Sequence, residues 1–317
     1  KCILRRKKYE MKSIFSCIAM VLIAKTFTMS LSAETLFFEL AERKHGLAKV
    51  PVELIFPDEP LNVPTPLVIL QHGSTRDAGQ VFDSIVQTDE HQRRLARHAL
   101  DRGFAVAIVD AFYKKGLASN QKTQFPQAHI YARQMATQLA EDVRLDNSNF
   151  FFSGFSYGGH AALMLMGDLS FGQNKVWSGI VSAEPPCNIF HEARKFDTPL
   201  LTIKGADSHY EPLPCQTMTN LYVSAGADAE IIVLPKANHF FSHNGKITKG
   251  LALNGCGSNP VIRKIGGGFS FLDGSPANPQ IIRKKCFTKK AGGGKSREAL
   301  DKAVMLSVDF FEKHLKN

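Results

Sequence analysis

The sequence FFFSGFSYGG occupies residues 150–159, and a helix-forming run, residues 160–166, follows it directly. An apolar strand that ends in Gly-x-Ser-x-Gly and turns at once into a helix is the pattern of a nucleophile elbow. Gly154 and Gly158 lack a Cβ where so tight a turn crowds itself, and Ser156 stands at its apex. The first helical amide, that of Tyr157, has no partner within the helix and faces any negative charge beside the serine. The pattern predicts a nucleophile at Ser156, with an ordinary Gly-rich turn as the alternative.

A serine nucleophile needs a histidine that takes its proton and a carboxylate that orients the histidine. On folds with this elbow, the acid and then the histidine follow the serine along the chain. Asp207 comes just after the apolar run 198–205, and His239 comes soon after the next apolar run, 229–235. Because parallel strands place their active sites at the edge formed by their carboxyl ends, Ser156, Asp207 and His239 are the predicted catalytic triad.

Other side chains near this edge stay open as alternatives. His243 lies four positions after His239 and competes with it as the base, and the alternative for His239 is a solvated loop histidine. His209 and Glu211 are alternative members of the acid loop. Two acids that precede these strands are expected at the opposite edge of the sheet, Asp197 and Asp228. No metal is predicted here, because a third ligand and a His-Glu-x-x-His motif are missing.

The second donor to an oxyanion is expected from the loop after an earlier strand. Residues 65–74, TPLVILQHGS, form an apolar run that ends in His-Gly. A glycine at that point lets backbone amides approach a substrate oxygen closely. We expect the amide of Ser74, or that of Gly73 beside it, to act together with that of Tyr157. His72 is expected to brace this loop through hydrogen bonds rather than to act as the base.

Five short segments occur in the order of one known family. They are LQHGS at 70–74, GFAVAIVDAF at 103–112, GFSYGG at 154–159, KGAD at 204–207 and ANHFF at 237–241. By these segments the chain resembles an α/β-hydrolase of the dienelactone hydrolase type, especially its exported relatives with a serine nucleophile. The resemblance implies hydrolysis of a small-molecule ester or lactone through an acyl-enzyme, without a cofactor. Two features depart from it: the founding members carry cysteine where Ser156 stands, and the tail after His239 is unusual.

Strand-like and helix-like runs alternate along the chain, which favours a mostly parallel, doubly wound sheet flanked by helices. A length of 317 residues and an apolar fraction of 44% suffice for one large core. Residues 33–317 are therefore predicted to form a single α/β-hydrolase domain. Predicted strands include 50–56, 104–110, 176–183 and two whose cores begin at Leu200 and Ile231, and predicted helices include 90–102, 127–143 and 296–315.

The amino terminus has the zones of a secretory signal. Met11 precedes an apolar run, residues 14–24, and small residues including Ser32 and Ala33 follow it. Residues 1–32 are predicted to be a signal peptide, with translation starting at Met11 and cleavage near Ser32 or Ala33. The alternative, a membrane anchor, is disfavoured because the apolar run is too short. The mature protein is expected to be exported, as a periplasmic or secreted protein.

Four cysteines remain after removal of this leader, an even number that suits an oxidising compartment. They allow three pairings. Cys187 with Cys215 is favoured because both lie on loops at the catalytic edge after consecutive strands. Cys256 with Cys286 is favoured because both lie inside one irregular segment. No Cys-x-x-Cys motif occurs, so neither a zinc site nor thioredoxin-like chemistry is predicted.

The formal net charge of +10 is unevenly distributed. The predicted leader carries a net +6 and residues 244–295 a net +9, which leaves the rest at about −5. The basic charge thus belongs to a Gly-rich insertion between His239 and the last helix, and no nucleic-acid partner is expected. The insertion is expected to be a solvated excursion closed by a disulfide, or alternatively a rim that contacts an anionic polymer or envelope surface.

Two further features are set aside. The sequence GGGKS at 292–296 is not a phosphate-binding loop, because the first glycine of that motif would fall at Lys289. Trp177 is expected in the core. The leading interpretation is an exported serine hydrolase of carboxylic esters or lactones. The alternatives are a peptidase of the prolyl-oligopeptidase kind on the same fold, and an inactive hydrolase-like protein that binds a partner through the basic insertion.

Overall fold

The computed structural model describes residues 32–42, 46–80, 84–118, 121–167, 177–239, 248–252, 256–294 and 296–316. The predicted signal peptide, apart from Ser32, and the rival base His243 lie outside these residues. No helix in the described part of the chain is long and apolar enough to cross a membrane.

The described residues form fifteen strands and six α-helices. The strands are β1 Ser32–Glu42, β2 Gly46–Phe56, β3 Thr65–Gln71, β4 Gly79–Gln80, β5 Gln87–Thr88, β6 Ala105–Val109, β7 Leu145–Phe155, β8 Gly179–Ala183, β9 Ile189–His191, β10 Leu200–Gly205, β11 Ala229–Leu234, β12 Thr248–Ala252, β13 Val261–Arg263, β14 Phe269–Phe271 and β15 Thr288–Gly293. The helices are α1 Glu90–Asp101, α2 Ala128–Leu139, α3 Tyr157–Leu165, α4 Leu213–Ser224, α5 Pro279–Cys286 and α6 Arg297–Lys313.

Eight of these strands build one central sheet, in the order β1-β2-β6-β3-β7-β8-β10-β11. The strands from β6 onward in this order run parallel, and β1 and β2 add an antiparallel edge. In β3, Leu67 and Ile69 enter the core on one face, while Val68 and Leu70 enter the core on the other. This is the alternation of a strand that is buried on both sides. The predicted mostly parallel, doubly wound sheet is confirmed.

Helices cover both faces of the sheet. The pair α2 and α3 packs on one face, where Tyr131 and Leu163 enter the core together with residues of α4. The pair α1 and α6 packs on the other face through Leu95 and Phe311. Trp177 is 1% exposed, as expected of a core residue. These layers hold the carboxyl ends of the parallel strands at one common edge.

Strand β1 and helix α4 are two of the elements that the sequence analysis does not predict. Strand β1 pairs with β2 in continuous antiparallel register from Ser32, opposite Phe56, to Glu42, opposite Gly46. It begins at Ser32, the last residue of the predicted leader, and the pairing rather than a strong local pattern defines it. Helix α4 has a weakly amphipathic sequence and is held by side chains at three- and four-residue spacing that enter the core: Cys215, Met218 and Tyr222.

The basic insertion, residues 244–295, is more regular than the sequence predicts. Its described part contains β12 to β15 and α5, so the prediction of an irregular segment is wrong there. Strand β13 pairs with β14 and also, in parallel, with β9 of the body. A small core of its own lies between these strands and α5: Cys256, Val261, Phe271, Ile282 and Cys286. Local patterning cannot reveal this order, because the partner strand β9 is distant in sequence.

Both predicted disulfides are present. Cys187 pairs with Cys215 at a Cα separation of 4.9 Å, and Cys256 pairs with Cys286 at 4.6 Å. Both separations lie within the usual range for disulfides. The first bond joins the segment after β8 to α4, and the second joins the start of the insertion to α5.

Candidate active site

The turn between β7 and α3 holds Ser156 in a left-handed backbone conformation with a φ of 53°. Such a conformation costs a non-glycine residue about 1–3 kcal/mol and persists where the surrounding structure enforces it. A Cβ on Gly154 would overlap the carbonyl oxygen of Gly158, and a Cβ on Gly158 would overlap that of Gln71. Ser156 is only half-buried at this turn. The elbow predicted from Gly-x-Ser-x-Gly is therefore present, with its serine accessible.

Ser156, His239 and Glu184 form a hydrogen-bonded row at this edge of the sheet. Ser156 Oγ lies 2.9 Å from His239 Nε2, and His239 Nδ1 lies 2.9 Å from Glu184 Oε2. His239 and Glu184 are 1% and 0% exposed. An imidazole whose Nδ1–H donates to a carboxylate presents its Nε2 lone pair to the serine hydroxyl, which is the arrangement that removes a serine proton.

The carboxylate in this row is not the predicted one. Asp207 is exposed, and its backbone N–H donates to Ala237 O at 2.8 Å. The chain after β10 thus follows the backbone of the loop that carries His239, and leaves the Asp207 side chain in solvent. Glu184 comes directly after β8, has a φ of 53°, and reaches the buried side of the imidazole. The prediction that Asp207 contacts His239 is wrong.

Glu184 is an ionised carboxylate in buried surroundings. Lys204 Nζ donates to its Oε2 at 2.9 Å, Ser208 Oγ–H donates to the same oxygen at 2.8 Å, and Gly205 N–H donates to Oε1. Burial by itself raises the pKa of Glu184, but the Lys204 charge and the His239 hydrogen bond outweigh it and lower the pKa to about 2. The carboxylate is therefore charged throughout the neutral pH range.

Two ring side chains enclose His239. The ring centroids of His209 and Tyr210 lie 4.5 and 4.9 Å from that of the imidazole. Burial lowers the pKa of His239, although the hydrogen bond and charge of Glu184 act in the opposite direction. The imidazole is thereby neutral at neutral pH, the form that accepts a proton. His209, an alternative acid-loop residue in the sequence, packs against His239, and Glu184 rather than Glu211 faces Nδ1.

The loop after β3 is braced by buried side chains. His72 Nδ1–H donates to Gly73 O at 2.6 Å, and its Nε2 accepts the Ala111 N–H at 3.1 Å, so the predicted bracing role is confirmed. Burial lowers the pKa of His72 to about 4, which keeps it neutral. The Gly73 N–H donates to the buried Asp89 Oδ2 at 2.5 Å. The sequence offers the amides of Gly73 and Ser74 as donors to an oxyanion. Because the Gly73 N–H already donates to Asp89, the Ser74 amide is the remaining candidate.

No family model and no curated protein matches the sequence. Solved structures, in contrast, match over most of its length. A dienelactone hydrolase-like promiscuous phosphotriesterase from metagenomic libraries has a TM-score of 0.55 at 16% identity, over 90% of this chain and 100% of that one. Esterase 2 of Thermogutta terrifontis, phosphoramylated by tabun, has a TM-score of 0.55 at 12% identity, over 89% and 94%. This chain has the α/β-hydrolase fold.

Within this fold, the expected likeness to dienelactone hydrolases is also found. A dienelactone hydrolase from Anabaena variabilis has a TM-score of 0.50 at 13% identity, over 90% of this chain and 99% of that one. The α/β-hydrolase fold accounts for the meeting of Ser156 and His239, because it sets the elbow and the loop after β11 at the same edge. At sequence identities of 12% to 16%, this likeness is evidence for the fold alone.

Two residues of the site escaped the sequence analysis, Glu184 and Lys204. Each left a signal: Glu184 directly follows the uncharged, buried strand β8, and Lys204 is the one charged residue of the buried strand β10. A charged residue in or at the end of a strand buried on both faces departs from the pattern of such strands. Among the residues that the structure describes, no cluster of three or more His, Cys, Asp or Glu is placed to hold a metal ion.

Proposed function

We propose that this protein is a serine hydrolase that cleaves carboxylic ester or lactone bonds through an acyl-enzyme. The observation that carries the proposal is the row Ser156–His239–Glu184, with 2.9 Å at each contact, at the carboxyl edge of an α/β-hydrolase sheet. Nucleophile, base and acid come after β7, β11 and β8. Three separate strand ends thus supply the three groups that acyl transfer to serine needs.

The chemistry follows from this row. Ser156 Oγ attacks the carbonyl carbon while His239 Nε2 takes its proton, and Glu184 stabilises the imidazolium that forms. The imidazolium then gives the proton to the leaving oxygen, and the acyl-enzyme remains on Ser156. Water attacks this ester in the second half, with His239 again as base, and the acid product leaves.

Two backbone amides are proposed to bind the oxyanion, those of Tyr157 and Ser74. Tyr157 is the first residue of α3, where an amide has no partner within its helix. The Gly73 amide is committed to Asp89, which supports Ser74 as the donor from the other loop. Loss of one such donor costs roughly 3 kcal/mol of transition-state stabilisation in a serine hydrolase.

The two disulfides support the proposal that the protein is exported, because such bonds persist in oxidising compartments. The peptidase alternative would use the same row and differs from an esterase in substrate only. The inactive-scaffold alternative is disfavoured by a nucleophile, base and acid in hydrogen-bonding contact.

The test combines a fluorophosphonate probe with a substrate panel. The wild-type protein should be labelled at Ser156, and Ser156→Ala should lose both the label and at least roughly 10⁴-fold in kcat. The panel contains p-nitrophenyl esters of graded chain length, lactones and aminoacyl amides, and we expect turnover of the esters or lactones. Turnover of amides alone would establish the peptidase, and a folded wild-type protein without label or turnover would establish the scaffold.

A further inference from the structure

Lys204 is a charged side chain enclosed behind the proposed triad. It lies in β10 with 0% of its surface exposed. Its Nζ lies 2.9 Å from Glu184 Oε2, 3.2 Å from Pro185 O, and 5.9 Å from the centroid of the Tyr210 ring. An ammonium group taken fully out of water is costly unless its partners compensate. Its place as the one charged residue of a fully buried strand therefore suggests a role beyond packing.

Lys204 and His239 donate to the same oxygen. Oε2 of Glu184 accepts from Lys204 Nζ and from His239 Nδ1, both at 2.9 Å. Lys204 forms a buried ion pair with Glu184, whereas the imidazole becomes charged only while it carries the serine proton. A fixed cation at this oxygen offsets part of the negative potential that would otherwise favour a permanently protonated imidazole. It also favours the ionised form of the carboxyl group.

We propose that Lys204 is a positioning residue of this site, which holds Glu184 behind His239 and keeps the imidazole in its neutral, proton-accepting form. The inference rests on the proposed serine hydrolase function. Lys204 meets the row at Glu184, on the side away from Ser156, and its enclosed ammonium does not reach substrate.

The pKa directions agree with this geometry. Burial lowers the pKa of Lys204 against the attraction of Glu184, and the Lys204 charge adds to the effect of burial in lowering the pKa of His239. Removal of the Lys204 charge should therefore raise the pKa of His239. The base works in its neutral form. As the pH is lowered, a variant without the Lys204 charge should therefore lose activity at a higher pH than the wild-type protein.

The other titratable groups around the row are not changed by these substitutions. Lys122, whose Nζ donates to Tyr210 OH at 2.7 Å, also lowers the pKa of His239. Burial lowers the pKa of His209 to about 2 and that of His91, which senses the Glu184 charge, to about 3, so both are neutral above pH 5 or so. A shift after replacement of residue 204 thus reports the lysine charge.

The experiment measures the pH profile of kcat/KM for a small neutral ester with the full chain. For Lys204→Met, which keeps the apolar stem, the acid limb should move up by about one pH unit, and kcat at neutral pH should fall about tenfold. KM should change less than about threefold, because residue 204 does not contact substrate.

Ser208→Ala is the matched control, since it removes a neutral donor from the same carboxylate oxygen. It should lower kcat without an equal shift of the acid limb. Lys204→Gln keeps an N–H donor without the charge. If Lys204→Met is not folded, as shown by the absence of a cooperative unfolding transition, the acid limb of the Lys204→Gln pH profile provides the test.

A lower melting temperature with an unshifted acid limb would reduce Lys204 to a structural residue and overturn the proposal. Failure of the proposed function is distinguishable, because the wild-type protein would then lack probe labelling and ester turnover.

Discussion

At the residue scale, Glu184 accepts hydrogen bonds from four groups while its own backbone is strained. The donors belong to His239, Lys204, Ser208 and the amide of Gly205. Its φ of 53° costs about 1–3 kcal/mol. Removal of one partner from a buried ion pair typically costs about 3–5 kcal/mol, because the other charge is left uncompensated. A variant at Glu184 therefore tests stability as well as chemistry.

Replacement of the two rival acids should give opposite results. Glu184→Gln should lower kcat by roughly 10³- to 10⁴-fold, because the amide neither stabilises the imidazolium nor fixes its tautomer. Asp207→Asn should stay within about threefold of wild type, since the Asp207 side chain is exposed. Steady-state ester hydrolysis checks both, and the reverse order would restore Asp207 as the acid.

The double variant Glu184→Gln with Lys204→Met controls for stability. It removes the whole ion pair, so no uncompensated buried charge remains. Its melting temperature should lie above that of Glu184→Gln alone, while kcat stays at least about 10³-fold below wild type. A recovery of kcat along with stability would mean that Glu184 acts only in folding.

At the scale of elements, a disulfide lies beside the segment that carries Glu184. Glu184 is followed by two prolines and Cys187, and the sulfurs of Cys187 and Cys215 lie 3.9 and 3.8 Å from Pro185 O. The same carbonyl accepts from Lys204 Nζ. The bond thus ties the end of β8 to α4 beside the Glu184–Lys204 pair.

The two disulfides form a matched pair for an experiment. They join cysteines 28 and 30 residues apart, so the chain-entropy model assigns each about 3.5 kcal/mol. Cys187→Ala/Cys215→Ala should lower the melting temperature and also kcat for a small ester, by roughly tenfold, because the acid segment loosens. Cys256→Ala/Cys286→Ala should lower stability similarly and leave kcat within about twofold. Equal kcat values for the two would show that the first bond does not support the site.

At the scale of the whole molecule, positive charge is concentrated in the basic insertion. Residues 244–295 carry a net +9. Among its described residues, four basic side chains are exposed: Lys264, Arg283, Lys284 and Lys285. The insertion joins the body through the pairing of β13 with β9, in a three-stranded sheet separate from the central one. Its contact with an anionic polymer, which the sequence suggests, stays a prediction.

Charge removal in the insertion should weaken binding to such a polymer and leave hydrolysis intact. Lys284→Gln/Lys285→Gln should elute from immobilised heparin at lower salt than wild type, because exposed charges act over roughly 8 Å at physiological ionic strength. Lys302→Gln/Lys313→Gln removes the same charge from exposed positions of α6 and is the control. Equal elution of both variants would assign any binding to net charge alone, and a loss of small-ester turnover would place catalytic groups in the insertion.

The sequence by itself determined the fold class and predicted that Ser156 and His239 meet, as they do in the structure. The elbow is recognisable because two glycines, Gly154 and Gly158, are sterically required at the turn around Ser156. His239 is recognisable because it follows the apolar run 229–235, a predicted strand of the parallel sheet. The carboxyl ends of parallel strands share one edge, so this loop is expected at the same edge as the serine. Of the three disulfide pairings that the sequence allows, the one it favours is the one that the structure shows. These features depend on local patterns and on general rules of parallel sheets.

Only the tertiary structure decided which carboxylate meets His239, which amide after β3 donates to Asp89, and how the insertion folds. Glu184 and Asp207 both come after parallel strands, and backbone hydrogen bonds between the loops after β10 and β11 leave Asp207 in solvent. The Gly73 amide is taken by Asp89, which is brought there by α1. Strand β13 forms because β9, distant in sequence, offers its edge. Each outcome depends on contacts between remote segments, which local sequence patterns do not encode.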